Sequence, residues 1–366
     1  MEVNQIYCIP EFPMSTTNSK FQARNTPITD RGLTGLPNIG NTCFLNSVIQ
    51  CLSNTRPLLE YILSNEYLGE IRNPTKSLVI ECFAELIQNI WNDRKSSVNP
   101  VHLKHAVELY APRFSGYSQH DAQEFLKYLL EGLHQELNRA KSVHDSDKDS
   151  NHSTTSFSAT ESWQTYLKTD NSKVVNIFGG LLKSVLKCTQ CGFSSTVYEP
   201  FWDLSLSIPI DSSHRIQNLH LNHCLNLFTK EETLDGLEKP LCEKCKMKQI
   251  CVKRISIQKF PSILVIHLKR FSGNGITRKI DQHIDYPLVG LDLGEYSADT
   301  QFRSISYNLY GLINHYGTCQ FGHYTACCKH PYSGRWHRFN DRSVSPINTN
   351  QADKAEAYIL FYEAVV

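Results

Sequence analysis

No apolar run among the 366 residues is long enough to cross a bilayer as a helix, and the first 30 lack the apolar segment of a secretory signal. The expectation is an intracellular protein, cytoplasmic or nuclear. An excess of either charge is also missing: 37 Lys and Arg stand against 36 Asp and Glu, a net charge of +1, with no basic run. That balance argues against a nucleic-acid-binding body or a polybasic membrane surface. No disulfide framework is expected either. Thirteen cysteines without an export signal fit free thiols, metal ligands and catalysis better than bridges. Two stretches lack anything to bury. Residues 1–31 mix Pro, Ser, Thr and Asn without periodicity and read as a flexible leader. Residues 142–158, dominated by Ser, Asp, His, Thr and Asn, read as a disordered insertion.

What remains is ordinary globular sequence, 40% hydrophobic, able to bury a large core in two or three structural units. Between Pro57 and Arg139 the pattern is helical, with Leu78 to Trp91 and His102 to Tyr110 carrying apolar residues at helical spacing. A further helix follows Ser118: Ala122, Phe125, Leu126, Leu129, Leu130, Leu133 and Leu137 form one stripe, and Ser118-x-x-Asp121 has the form of a capping box. After Val174 the chain turns to strands. Ser262 to Leu268 is a nearly continuous apolar run, expected as a central strand buried on both faces. Tyr307 to Ile313, His323 to Cys328, Trp336 to Phe339 and Tyr358 to Tyr362 follow, with Ser333-Gly334 as a hairpin turn. The class is α+β.

Gly35-Leu-Pro-Asn-Ile-Gly-Asn-Thr-Cys43 places a cysteine where a Gly/Asn loop enters a helix. Leu45, Val48, Ile49 and Leu52 have helical spacing, and Asn41 or Thr42 is available as the cap. In the first turn, unpaired N–H groups and the positive end of the macrodipole favour a thiolate over a thiol. The alternative for Cys43 is an inert core cysteine, so a separate base and an orienting group must be found.

Gly322-His323-Tyr324 supplies a histidine between a Gly-containing loop and a strand, and Asn340-Asp341 ends the strand after it. Either Asn340 or Asp341 can hold the imidazole by accepting from its second ring nitrogen. Together with Cys43 this is the nucleophile, base and orienter set of cysteine acyl transfer. His315, His330 and His337 read as structural.

Cys188-Thr-Gln-Cys191 and Cys242-Glu-Lys-Cys245 are two Cys-x-x-Cys pairs, the spacing that lets both sulfurs of a pair meet one ion. Four thiolates make a closed tetrahedral zinc site, structural because no position stays open for water or substrate. Residues 192–241 separate the pairs, so the expected Zn2+ pins the ends of two hairpins. Cys224 and Cys251 lack a partner two residues away and are set aside as ligands.

The Cys43 box, Tyr117-Ser-Gln-His-Asp-Ala-Gln-Glu-Phe125, the two Cys-x-x-Cys pairs, Phe201 to Leu206, His267 to Phe271 and the Gly322-His323-Tyr324 box resemble, in order and spacing, the ubiquitin-specific protease family. The resemblance runs from about Gly32 to the end. It implies a papain-like cysteine protease shaped like a hand: a helical thumb over about 32–140, β-rich zinc-bearing fingers over about 180–258, and a palm mainly over about 259–366. It further implies a thiol-dependent hydrolase of ubiquitin conjugates that acts as a monomer, with Cys43 facing His323 across the thumb and palm. Asn38 falls at the family's oxyanion-donor position, while a turn residue after Pro37 is the plain alternative. Asp121 and Glu124 are candidates to meet arginines of the ubiquitin tail, although both also suit a helix N-terminus with no substrate present. Two departures stand out. His120 replaces a common glutamine, and Asn340 stands where many members have aspartate. A protease for a ubiquitin-like modifier would keep the same catalytic residues. A dead ubiquitin-binding scaffold would be expected to lose Cys43 or His323, and both are present.

Overall fold

The computed structural model describes residues 27–92, 96–140, 158–209, 218–272, 278–299, 305–318, 321–352 and 356–365. Its helices are α1 (Cys43–Ser53), α2 (Arg56–Leu63), α3 (Leu78–Asn92), α4 (Val101–Tyr110), α5 (Ala122–Glu136), α6 (Ala159–Thr169), α7 (Lys173–Phe178), α8 (Leu221–Thr229) and the short α9 (Thr349–Ala352). The strands begin with β1 (Gly180–Cys188), β2 (Ser194–Phe201), β3 (Leu204–Ser207), β4 (Glu232–Leu234), β5 (Leu241–Cys242), β6 (Met247–Lys248), β7 (Cys251–Lys259) and β8 (Ile263–Lys269). They continue with β9 (Phe271–Ser272), β10 (Arg278–Lys279), β11 (Leu291–Asp292), β12 (Ser306–Gly317), β13 (Gly322–Lys329), β14 (Trp336–Asn340), β15 (Ser343–Pro346) and β16 (Ala357–Ala364).

The large sheet runs β15-β14-β13-β12-β16-β8-β3, with β11 paired to β12. Its pairings are antiparallel except β3 with β8, which is parallel. Period-two alternation distributes its side chains between two cores. Ile263, Val265, Ile313, Ile359 and Phe361 face the helices α1 to α5, whereas Leu264, Ile266, Leu312, Leu360 and Tyr362 pack with Leu221 and Leu225 of α8 on the opposite face. The apolar run at Ser262 to Leu268 is thus buried on both faces as expected, in an interior strand second from the edge. Helix α1 is buried all round, from Cys43 to Ser53, because it lies between the other helices and the sheet. The α5 stripe is buried throughout.

The small sheet, β2-β1-β7-β4, carries the first Cys-x-x-Cys pair at the β1–β2 turn, and the β5–β6 hairpin carries the second. The 180–258 stretch is not one β-rich unit, however. β3 joins the large sheet, and α8, which the sequence did not announce, packs into its outer core through Leu221, Cys224 and Leu225. Helices α6 and α7 were likewise not expected, since α6 has no buried residue and α7 covers only six positions. The insertion expected over 142–158 falls outside the described residues except for Ser158, which caps α6. The leader expected over 1–31 lies outside them for residues 1–26. Its last residues are placed, with the Arg31 carbonyl 2.8 Å from His330 Nε2. No described helix is long and apolar enough to cross a membrane.

Candidate active site

Cys43 heads α1 and is buried. The loop before it is shaped by Asn38 rather than by the expected caps. Asn38 Oδ1 accepts from the N–H groups of Gly40 (3.2 Å) and Thr42 (3.0 Å). Thr42 makes no side-chain cap and instead accepts from Ile39 N–H at 3.0 Å. Asn41 adopts φ 55° and donates through Nδ2 to the Tyr117 carbonyl at 2.7 Å. At Gly40, with φ +119°, a Cβ would come within 2.3 Å of the Tyr117 ring, so no larger residue fits this approach.

His323 stands on β13, and its Nε2 lies 2.7 Å from Asn340 Oδ1. Because that oxygen only accepts, the Nε2 proton is fixed and Nδ1 is left for the thiol. Cys43 is the partner that most strongly raises the His323 pKa, to about 9, against the opposing effect of burial, with smaller support from Asn340 and Asp341. His323 is therefore held toward its imidazolium form beside Cys43. Of the two candidate orienters, Asn340 is the one in contact.

Asp341 turns the other way. In a left-handed conformation with φ 47°, it accepts from Asn38 Nδ2 at 3.1 Å and from Asn46 Nδ2 at 2.8 Å, and its carbonyl accepts from Leu36 N–H at 2.8 Å. Asn46 was not singled out from sequence. A buried polar residue one turn after the nucleophile is the signal that marks it.

The segment before α5 bonds to both the Cys43 loop and the β13 strand. The helix starts at Ala122, three residues later than the capping box Ser118-x-x-Asp121 implies. Asp121 itself is the cap, accepting from Gln123 N–H (2.7 Å) and Glu124 N–H (3.2 Å), and its other oxygen takes the Tyr358 hydroxyl. Glu124 pairs with Arg113 at 2.7 Å. His120 packs edge-on to Phe44 and Phe114, and burial lowers its pKa, so it serves as a neutral ring. His315 is also neutral, held down to about 4 by burial and by Lys279.

The four cysteines expected as ligands converge. The sulfurs of Cys188, Cys191, Cys242 and Cys245 all lie within 4.8 Å of one another, with Cys191 and Cys242 at 3.6 Å. Tetrahedral Zn–S bonds require sulfurs about 3.8 Å apart. The two pairs adopt the same turn. Gly192 (φ 70°) donates back to the Cys188 carbonyl at 3.0 Å, and Lys246 (φ 56°) donates to the Cys242 carbonyl at 2.8 Å. Backbone N–H groups of Cys191 and Gln190 draw Cys188 down to about 7, while the crowding sulfurs push Cys245 up to about 12. Four thiolates this close repel one another without a cation, so the donor set fits a soft divalent metal. Cys224 lies in the outer core of the large sheet, and Cys251 sits beside the cluster on β7 without joining it.

A family model described as "Ubiquitin carboxyl-terminal hydrolase" matches residues 34–362. The chain is 46% identical over 338 residues to ubiquitin carboxyl-terminal hydrolase 2 of Bos taurus, covering 91% of this chain and 55% of that protein. It is 41% identical over 370 residues to ubiquitin carboxyl-terminal hydrolase 21 of Homo sapiens, covering 93% and 63%. Thus the chain spans little more than half the length of these relatives; the Gallus gallus ubiquitin carboxyl-terminal hydrolase 2, also 46% identical, is covered over 94%. Among solved structures, the SAGA DUB module bound to monoubiquitin aligns with a TM-score of 0.74 at 28% identity, over 93% of this chain and 71% of that one. The same module bound to ubiquitin aldehyde aligns with a TM-score of 0.73 at 28% identity, over 93% and 71%.

Proposed function

Because the chain belongs to the ubiquitin carboxyl-terminal hydrolase family, we propose that it is a cysteine-dependent deubiquitinase, hydrolysing the isopeptide or peptide bond after the C-terminal glycine of ubiquitin. The observation that carries this is the Cys43, His323 and Asn340 set at the junction of α1, β13 and β14. His323 takes the Cys43 proton, and the thiolate attacks the carbonyl carbon next to the bond to be cut. His323 returns the proton to the departing amine, leaving a thioester that water hydrolyses. Asn38 serves as the oxyanion donor. Its Nδ2 now lies on Asp341, so the role requires that bond to be shared or exchanged as the oxyanion forms.

We assign Asp121 and Glu124 to the direction of the ubiquitin tail. Asp121 caps α5 and Glu124 stands in its first turn, although Asp121 is occupied by the cap and Tyr358, and Glu124 by Arg113. An incoming arginine would compete with Arg113 at Glu124. Cys188, Cys191, Cys242 and Cys245 would hold one Zn2+, which when bound ties the β1–β2 turn to the β5–β6 hairpin. We take the protein to act as a monomer on ubiquitin conjugates or polyubiquitin in the cytoplasm or nucleus, where the cysteines found free among the described residues would stay reduced.

The test is hydrolysis of a fluorogenic ubiquitin C-terminal amide by the purified chain and by Cys43→Ala, with a ubiquitin-like modifier substrate alongside. Release from ubiquitin that disappears in Cys43→Ala supports the reading. Release from the other modifier alone, or release that survives the substitution, contradicts it.

A further inference from the structure

The start of β13 is held in an unusual way. β12 pairs with it as far as Gly317↔Gly322, but β14 pairs only from Ala326↔Phe339 onward. On the β14 side, the stretch that carries His323 therefore lies beyond the last strand pair. At Gly322 a side chain stands in for the strand. Gln119 Nε2 donates to the Gly322 carbonyl at 3.1 Å, and the Gly322 N–H donates to Gln119 Oε1 at 3.2 Å. A primary amide offers the same donor and acceptor as a peptide group, so both backbone groups of the residue preceding His323 are met at once. A Cβ at Gly322 would come within 2.0 Å of His315 Nε2, so no larger residue fits at this point of the strand.

The loop bearing Gln119 is itself fastened to the nucleophile. Two residues earlier the Tyr117 carbonyl accepts from Asn41, two residues before Cys43, and two residues later Asp121 is anchored by Tyr358. The segment from Tyr117 to Asp121 thus straps the loop of Cys43 to the strand of His323. We propose that Gln119 is a positioning residue that sets how His323 faces Cys43, an inference resting on those two acting as a thiol and base pair. It touches neither reacting atom and acts through the Gly322 backbone. A displacement of an ångström between the two groups weakens proton transfer from the thiol to the imidazole.

The experiment compares wild type with Gln119→Ala and Gln119→Glu by measuring the rate of Cys43 alkylation by iodoacetamide across pH, read by mass spectrometry of the Cys43 peptide. Cys43 and Asp341 act on His323, Tyr316 pairs with it across β12, and His315 stands against Gly322. His315 stays neutral down to about 4 and does not confuse the neutral range. Gln119→Ala is expected to move the acid limb of alkylation to higher pH than in wild type and to slow alkylation at neutral pH by about tenfold. Gln119→Glu, which sets a carboxylate against the Gly322 carbonyl, should shift the limb the same way. Gln119 is exposed, so melting temperatures should stay at the wild-type value, and kcat on ubiquitin amide should fall with KM little changed. Profiles superimposable on wild type in both variants would overturn the proposal. Alkylation uses no ubiquitin, so a chain that failed to hydrolyse ubiquitin would still give this reading.

Discussion

Asn340 and Asp341 are neighbours in sequence but serve different partners: Asn340 bonds His323 at 2.7 Å, while Asp341 bonds Asn38 and Asn46 in the nucleophile segment. The left-handed backbone at Asp341 makes this possible, because it turns the second side chain away from the face the first one uses. One dipeptide thus orients the base and braces the loop ahead of the nucleophile.

The two roles separate by mutation. Asn340→Ala should lower kcat by about 10- to 100-fold and leave stability unchanged, because Asn340 is exposed. Asp341→Ala removes one partner of the buried Asn46 amide, which also donates to the Leu36 carbonyl at 3.1 Å, and should cost about 1–3 kcal/mol of stability. Urea unfolding and steady-state rates on both variants provide the comparison, and equal loss of stability in the two would contradict the division.

The pH dependence follows from the direction of the His323 shift. Held up to about 9, mainly by Cys43, the imidazolium persists through neutral pH, and the acid that protonates the departing amine is lost as pH rises through about 9. Turnover should decline on that alkaline limb. In Asn340→Ala the limb should move to lower pH, since the Asn340 bond is one of the contacts that raise the pKa.

His315 should leave a mark on acid stability. Its pKa falls from an ordinary 6.5 to about 4 in the fold, so between those values the unfolded chain binds a proton that the native state does not. Stability is complete above 6.5 and erodes as pH falls toward 4. His315→Phe, set among Phe271, Tyr324 and Tyr358, should flatten that part of the profile by about 1–3 kcal/mol. Parallel profiles for wild type and variant would argue against it.

The four-cysteine cluster makes a prediction independent of catalysis. The purified chain should contain one zinc per molecule, and strong chelation should lower its melting temperature, because a structural metal contributes folding free energy. Metal analysis and melting curves with and without chelator decide it. A chain free of zinc that melts unchanged would contradict the site.

Local patterns were legible. The α1 and α5 stripes, the Ser262 to Leu268 run and the Ser333-Gly334 turn between β13 and β14 follow from periodicity and turn chemistry within a few residues. Cys43 and His323 were legible as types in the right surroundings. What was not legible depends on partners far apart in the chain: Asn46 with Asp341, and Gln119 with Gly322, join segments whose approach only the finished fold determines. The choice between Asn340 and Asp341 turned on one backbone angle that no side-chain pattern announces. The α5 cap was misread at Ser118 because Asp121 satisfies the same orphan N–H groups three residues later. Helix α8 stayed hidden because a short helix inside a strand-rich region adds little periodicity.

The most direct test of the central claim is to incubate the chain with ubiquitin bearing a C-terminal electrophile and to locate the adduct by mass spectrometry. The expected result is one ubiquitin joined through the Cys43 sulfur, with no adduct in Cys43→Ala and a slower reaction in His323→Ala. An adduct on a different cysteine, or none in a folded wild-type chain, would contradict the assignment of Cys43 as the nucleophile.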